Sequence, residues 1–368
     1  MRWLFLAVII ILFELLTYGV WRGLAWWGRD LLSLKTIDWL KWTLFAIGNG
    51  LLVLAMVRLG SGWLKVSMTW LTLLWLFIMA MAVVGLLNWG MTHLFSQLSI
   101  KIGFAQWGVR VLLPLLWVGL IGLSVYNAYT PVVRHVTVHT NQPLAKPIRL
   151  GMVSDLHLGV LVGNRQLTKL TELVKTQGVE LLLMAGDVMD DNTDYYESEK
   201  MQPALQQLAK AVPMGIYASL GNHDMYGHES AIREAIKQAD ITLLADSGVL
   251  VDERFWLIGR LDNHASHRKD TKDLLPQVID KPIILLDHEP NGIDENVQLP
   301  IDLQLSGHTH NGQMFPANFI VQAINRLGYG HERINDTDVI VSSGYGFWGV
   351  PLRLGSQAEI WVIDLVGQ

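Results

Sequence analysis

Five short segments end apolar runs with side chains that could bind metal: Ser154-Asp155-Leu156-His157, Gly186-Asp187-Val188-Met189-Asp190, Gly221-Asn222-His223-Asp224, Asp287-His288 and Gly307-His308-Thr309-His310. Carboxylates and imidazoles in a chain with 0 Cys suit Mn, Fe or Zn, with selection among them following availability more than affinity. A carboxylate held between two cations relieves their repulsion. Two ions about 3.5–4 Å apart can acidify a shared water as nucleophile and clamp both ends of an in-line phosphoryl displacement. One Asp after a strand is ordinarily a turn residue or a cap. Five such endings in series make a purely structural explanation improbable and point to a functional site of metal-ligand side chains.

The elements that position these groups are short apolar runs alternating with helical stretches. The runs are 148–153, 179–185, 215–220, 255–258, 283–286, 303–305, 339–341 and 359–363. Between the first two, Asn164 is placed to cap a helix with Leu167, Leu170 and Val174 on one face, and Gly178 to end it. Such alternation predicts an α/β domain, with ligands gathered at the carboxyl ends of strands. Gly344-Tyr345-Gly346-Phe347-Trp348-Gly349 formally matches a dinucleotide fingerprint. No helix is expected after it, since Pro351 and the extended run 359–363 follow, so the match is read as accidental.

In these residues the chain resembles the calcineurin-like metallophosphoesterase superfamily, whose ordered blocks are D-x-H, G-D-x-x-D, G-N-H-D/E, a lone His and G-H-x-H. It looks closest to a bacterial, membrane-anchored branch: Gly307–Gln313 with Pro316, Ser343-Gly344-Tyr345-Gly346, then Pro351, Arg353 and Glu359. Asn311 departs from that branch's Gly, and Phe347-Trp348 stand where small polar residues are common. The resemblance implies a four-layer α/β/β/α sandwich over 148–368, and composition sets before it a 131–147 linker and a 1–130 membrane domain of about four spans. It further implies that Asp155, His157 and His310 hold one divalent ion and that Asn222, His288 and His308 hold a second. Asp187 would bridge the two. His223 would face the substrate and Asp224 would orient its imidazole, while Asp190 would be structural. Arg268 is a candidate phosphate contact; His264 and His267, in the same polar loop, are weaker ones.

Composition divides the chain near residue 130. Residues 1–130 carry nine basic and three acidic residues and 12 of the 15 Trp; the rest carries 19 basic and 30 acidic residues and 11 of the 12 His. An acidic soluble part disfavours a nucleic-acid partner. Four apolar stretches, 3–20, 42–57, 66–87 and 109–126, are candidate membrane spans, the second being the weakest because Gly48-Asn49-Gly50 interrupts it. The first is expected to be a retained helix: its apolar run is long for a signal peptide, Glu14 interrupts it, and no cleavage pattern follows. Glu14 itself is read as a contact within the bundle. Arg22, Arg29, Lys35, Lys41, Lys101 and Arg110 on one side, against Arg2, Arg58, Lys65 and Arg134 on the other, place the catalytic domain outside the cytoplasm.

The expected activity is hydrolysis of a phosphodiester or pyrophosphate bond in a phosphorylated or lipid-linked molecule near the bilayer. Enzymes similar to this branch include phosphodiesterases and a pyrophosphohydrolase that cuts UDP-diacylglucosamine. A non-catalytic membrane sensor or scaffold is the alternative, disfavoured because all seven ligand positions are filled. A transporter with an attached hydrolase is disfavoured by the lack of intramembrane polar pairs.

Overall fold

The computed structural model describes residues 2–57, 61–97 and 103–367. It divides into two compact units, Met1–Val125 and Tyr126–Gln368. Arg58 and Lys101, used in the charge count above, lie outside the described residues.

The first unit is helical: α1 (Arg2–Gly28), α2 (Leu34–Met56), α3 (Ser61–Gln97) and α4 (Gly103–Tyr129), which continues through Pro114 and ends in the second unit. Among the described residues, three helical stretches are long and apolar enough to cross a membrane: Leu34–Met56, Gly62–Leu94 and Trp107–Tyr129. The expected first span lies within α1, and the side chains of residues 1–9 fall outside the description. The second span is longer than expected, and Gly48 within it has a packing reason. A Cβ at Gly48 would stand 2.7 Å from the Phe13 ring, so the small residue lets α1 and α2 approach. Val20, Leu74, Phe77, Ala80, Val84 and Leu113 form the bundle core.

The second unit contains twelve strands: β1 (Val132–His139), β2 (Ile148–Val153), β3 (Leu181–Ala185), β4 (Ile216–Ser219), β5 (Ile241–Leu243), β6 (Ser247–Val251), β7 (Phe255–Gly259), β8 (Ile283–Leu286), β9 (Leu303–Ser306), β10 (Gly330–Ile334), β11 (Thr337–Val341) and β12 (Glu359–Val366). Its helices are α5 (Asn164–Thr176), α6 (Asp194–Ser198), α7 (Gln202–Lys210), α8 (Asn222–Met225), α9 (Glu229–Gln238), α10 (Ile293–Asn296) and α11 (Ala317–Ile324). The strands form two six-stranded sheets, ordered β1-β12-β2-β3-β4-β5 and β10-β11-β9-β8-β7-β6.

Strand alternation builds the layers. Leu150 and Met152 of β2, Leu181 and Leu183 of β3, Ile284 and Leu286 of β8, and Leu303 and Leu305 of β9 meet in one buried cluster between the sheets. The intervening Leu182 and Met184 face Leu167, Leu170 and Val174 of α5 and Leu205 and Leu208 of α7. Ile283 and Leu285 join Ile258 and Ile301 on the outer side of the other sheet, covered by Trp256, Leu274, Leu275 and Leu299. Leu183, with 0% exposure, contributes about 2–5 kcal/mol by the usual cost of truncating a core Leu to Ala.

Two expectations change. The segment 131–147 is not a linker, because β1 occupies 132–139 and pairs in parallel with β12 along its whole length. The cap of α5 is Gly163 and not Asn164: the Gly163 N–H donates to Gln166 Oε1 at 3.1 Å.

Candidate metal centre

β2, β3, β4, β8 and β9 all run parallel to a neighbour, so their carboxyl ends lie along one edge of the molecule, shared by both sheets. Backbone strain completes the aim. Asp155, His157, Asp187, His308 and His310 have φ between 48° and 68°, a left-handed conformation unusual for non-glycine residues and concentrated at functional sites. The motif glycines matter for closeness. A Cβ at Gly186 would strike the His288 imidazole, one at Gly221 the Asp187 carboxylate, and one at Gly307 the Asp155 carboxylate.

All seven expected ligand residues converge. His157 Nε2 and His310 Nε2 are 3.2 Å apart, and His310 Nε2 is 3.5 Å from Asp155 Oδ1. His308 Nδ1 and Asn222 Oδ1 are 2.9 Å apart. Asp187 Oδ2 stands between these groups, 3.6 Å from His157 Nε2 and 3.1 Å from His288 Nε2. Nitrogen ligands about 2.0–2.1 Å from one tetrahedral ion are about 3.3 Å apart, so these separations are those of donor atoms around a cation. His288 adds independent support. Its Nδ1 donates to Ala185 O at 2.8 Å, which fixes the ring and turns the fully buried Nε2 toward Asp187 Oδ2 at 3.1 Å.

The electrostatics fit cations as well. Burial holds the His157 imidazole down to about 4 and, with Arg353 and His157 nearby, the His310 imidazole well below its usual value. Both rings are therefore neutral donors. Burial, together with the Asp187 charge, raises Asp155 to about 6. Burial would raise Asp187 too, but His288 and His157 hold it well below the carboxylate range. His288 is the converse: burial opposes its charge, and the Asp187 carboxylate outweighs that and raises it well above an ordinary imidazole.

The family profile described as Calcineurin-like phosphoesterase matches residues 148–312. An uncharacterized metallophosphoesterase of Campylobacter jejuni is 31% identical over 258 residues, covering 68% of this chain and 67% of that protein. The chain belongs to the calcineurin-like metallophosphoesterase family. An uncharacterized metallophosphoesterase of Helicobacter pylori is 30% identical over 244 residues, 64% of each chain. A transmembrane protein with metallophosphoesterase domain from Danio rerio is 30% identical over 59% of this chain and 53% of its own. The chain thus spans between about half and two thirds of the length of these curated relatives. Among solved structures, the NAD nucleotidase of Haemophilus influenzae aligns at 16% identity and a TM-score of 0.36, over 55% of this chain and 51% of that one. The family is one of metal-dependent phosphoester hydrolases, and among the described residues three helical stretches are long and apolar enough to cross a membrane.

Two roles implied for this metallophosphoesterase are corrected by its geometry. Asp224 does not touch the His223 ring. Its carboxylate is buried and accepts from the backbone N–H groups of Val188, Met189 and Gly221 at 2.9–3.1 Å, tying the second motif to the third. Asp191 takes the expected place, with Oδ1 at 2.6 Å from His223 Nδ1. Asp191, the residue just after the Gly186–Asp190 block and itself in a left-handed conformation at φ 68°, reaches the imidazole in place of the third-block acid. Burial opposes charge on His223, yet the bond to Asp191 and the charge of Asp187 raise its pKa. Arg268 is not a free phosphate contact either: its guanidinium pairs with the buried Asp287 and with Asn263, and Arg260 Nη1 meets the same Asp287 at 2.9 Å. A buried carboxylate between two guanidiniums has claimed Arg268. Asp190, not counted as a ligand, stands 3.9 Å behind His157 Nδ1.

Other residues shape the site without having been assigned a role in it. Arg353, wholly buried, donates from Nη2 to Ser343 O at 2.7 Å and Gly346 O at 2.6 Å, and lies 3.1 Å from His310 Nδ1. Glu359 accepts from Ser343 N at 2.9 Å. The Arg and Glu of the C-terminal motif are therefore braces for the Gly344–Gly346 loop, which packs on Asp155. Asn222 Nδ2 donates to the Tyr226 hydroxyl at 3.0 Å; the Tyr226 ring packs edgewise on His223, and the Trp348 ring lies 5.6 Å from His223 between centroids. Asp262, His264 and Glu289 form a further acidic cluster nearby, with His264 Nδ1 at 2.6 Å from Asp262 Oδ1. Only spatial proximity distinguishes Tyr226, Asp262 and Glu289 from ordinary loop residues in the sequence.

Proposed function

We propose that this chain is a membrane-anchored, dinuclear metal-dependent phosphoesterase that hydrolyses a phosphodiester or pyrophosphate bond. The observation that carries the reading is the convergence of Asp155, His157 and His310 on one side of Asp187 and of His288, His308 and Asn222 on the other. Two divalent ions of Mn, Fe or Zn held there would acidify a water between them and brace both ends of an in-line phosphoryl displacement. The protein's own part is positional. Asp187 offers one carboxylate to both sides, and the braces at Arg353 and Asp224 hold its neighbours still. Asp191 engages His223 Nδ1, which leaves Nε2 to donate to a phosphate oxygen or to the departing alkoxide.

The substrate proposed is a phosphorylated or lipid-linked molecule near the bilayer, supported by the candidate spans and by the net acidity of residues 131–368, which is unsuited to a nucleic-acid backbone. The Lys and Arg distribution supports an extracytoplasmic catalytic unit. The test uses the full chain in detergent, stripped of metal, reloaded separately with Mn²⁺, Fe²⁺ or Zn²⁺, and assayed on phosphomonoesters, phosphodiesters and nucleotide–lipid pyrophosphates. Two ions per chain and turnover of a diester or pyrophosphate are expected. A folded chain that binds two ions and cleaves none of these would favour the sensor alternative, and one ion per chain would sink the dinuclear reading.

A further inference from the structure

Helix α11, Ala-Asn-Phe-Ile-Val-Gln-Ala-Ile, follows directly on the His308–Gln313 loop, and none of its residues is buried. Phe319, Ile320 and Ile324 are 63%, 58% and 74% exposed, where an amphipathic helix on a water-soluble surface would turn them inward. Trp348, close to His223, adds to this exposed apolar surface at 40%.

The position of α11 in the fold says what covers it. The residues leading into it are fastened to Leu354: Leu354 N donates to Gln313 O at 2.9 Å, and Phe315 N donates to Leu354 O at 2.6 Å. The adjacent residue is fastened to the end of a candidate membrane span. Asn127 Nδ2 donates to Arg353 O at 3.2 Å, Ala358 N donates to Asn127 O at 2.9 Å, and the Tyr129 ring packs on Phe347 at 5.1 Å. Asn127 and Tyr129 are the last residues of the span Trp107–Tyr129. One segment, 347–358, therefore holds both the end of the candidate span and the base of an exposed apolar helix. Consecutive Cα atoms are about 3.8 Å apart, so the two attachments at Arg353 and Leu354 are immediate neighbours. The charges agree with this siting. Lys169 Nζ donates to Tyr129 O at 3.0 Å, and Arg165 lines the same cleft, which places cations where anionic headgroups would lie.

We propose that α11 is a membrane-interface helix: Phe319, Ile320 and Ile324 enter the headgroup–acyl boundary of the bilayer that anchors the chain, and set the mouth of the metal centre at the lipid surface. A helix of this kind lies about 5–10 Å into that boundary, parallel to it. The inference does not depend on hydrolytic activity.

The absence of Cys makes a direct test possible. Ile320→Cys and Ile324→Cys in the full chain, each labelled with an environment-sensitive fluorophore, are compared with Val278→Cys, an exposed apolar position (68%) on the β7–β8 connection. No side chain of α11 is buried, so these substitutions leave the core intact. In vesicles of phosphatidylethanolamine and phosphatidylglycerol, labels at 320 and 324 are expected to emit to the blue of the label at 278. A nitroxide lipid labelled near the headgroup should quench them several-fold more than it quenches the label at 278, and aqueous iodide several-fold less. Equal iodide quenching at all three positions would overturn the proposal. So would labels at 320 and 324 that are shielded from iodide but indifferent to the nitroxide lipid, with disulfide cross-links between copies at 324, since that result assigns the face to a second copy.

Discussion

Replacing Asp191 with Asn removes the charge that faces His223 while keeping a group able to accept from its Nδ1–H. The bond is short, 2.6 Å, and its imidazole side is mostly buried at 12% exposure, whereas the carboxylate side is 51% exposed. A hydrogen bond to a charged group is worth about 1.5–3 kcal/mol, and an exposed pair about 0–1 kcal/mol. A half-exposed pair falls between them, so the expected loss is about 1–2 kcal/mol of transition-state stabilisation, or roughly 5–30-fold in kcat. The loss should fall on substrates with a poor alkyl leaving group, which needs a proton, and should shrink on an activated aryl phosphodiester, which does not. Metal content and melting temperature should hardly change. Asp224→Asn should do the reverse, because it turns an amide donor toward buried backbone N–H groups. That costs about 1–3 kcal/mol, read as a lowered melting temperature. The reasoning is refuted if Asp191→Asn leaves both substrates untouched while Asp224→Asn loses the poor leaving group selectively at an unchanged melting temperature.

Three further outcomes are expected. Asp187→Ala should lose more metal than any other single ligand change, since its carboxylate serves both sides of the site; elemental analysis after Mn²⁺ loading would show it, and full retention would exclude a bridging position. Near pH 7, metal loading should release at least one proton, because Asp187 holds His288 protonated and a cation must displace that proton. Calorimetric titration in buffers of different ionisation enthalpy measures the number, and zero would contradict the pairing. In intact cells a membrane-impermeant thiol reagent should label Val278→Cys but not Ser33→Cys; the opposite pattern would put the catalytic unit in the cytoplasm.

Much of the site was legible because its signals are local. A strand end followed by Asp-x-His or Gly-Asn-His-Asp needs only neighbours in sequence to be recognised, and short apolar runs identify β2, β3, β8 and β9 with boundaries close to those seen. Strand β1 was not legible in the same way. It is an edge strand with Arg134, His135 and His139 turned outward, and it exists because β12, more than 200 residues later, supplies its hydrogen bonds. Strands β5, β6 and β10 bury few of their side chains, so no apolar run marks them as it marks β3, β8 and β9.

By itself the sequence determined the types of ligand, their order, the α/β class and the division into an apolar and an acidic half, since each follows from composition or from spacing within a few residues. Tertiary structure alone decided which acid reaches His223 and which carboxylate claims Arg268. It alone also decided that α11 keeps its Phe and Ile side chains outside the core. Those outcomes depend on where left-handed turns send a side chain and on which distant segments share an edge. Neighbours in space that lie 19 to 36 positions apart in sequence compete for the same partner, and only packing settles which contact is made.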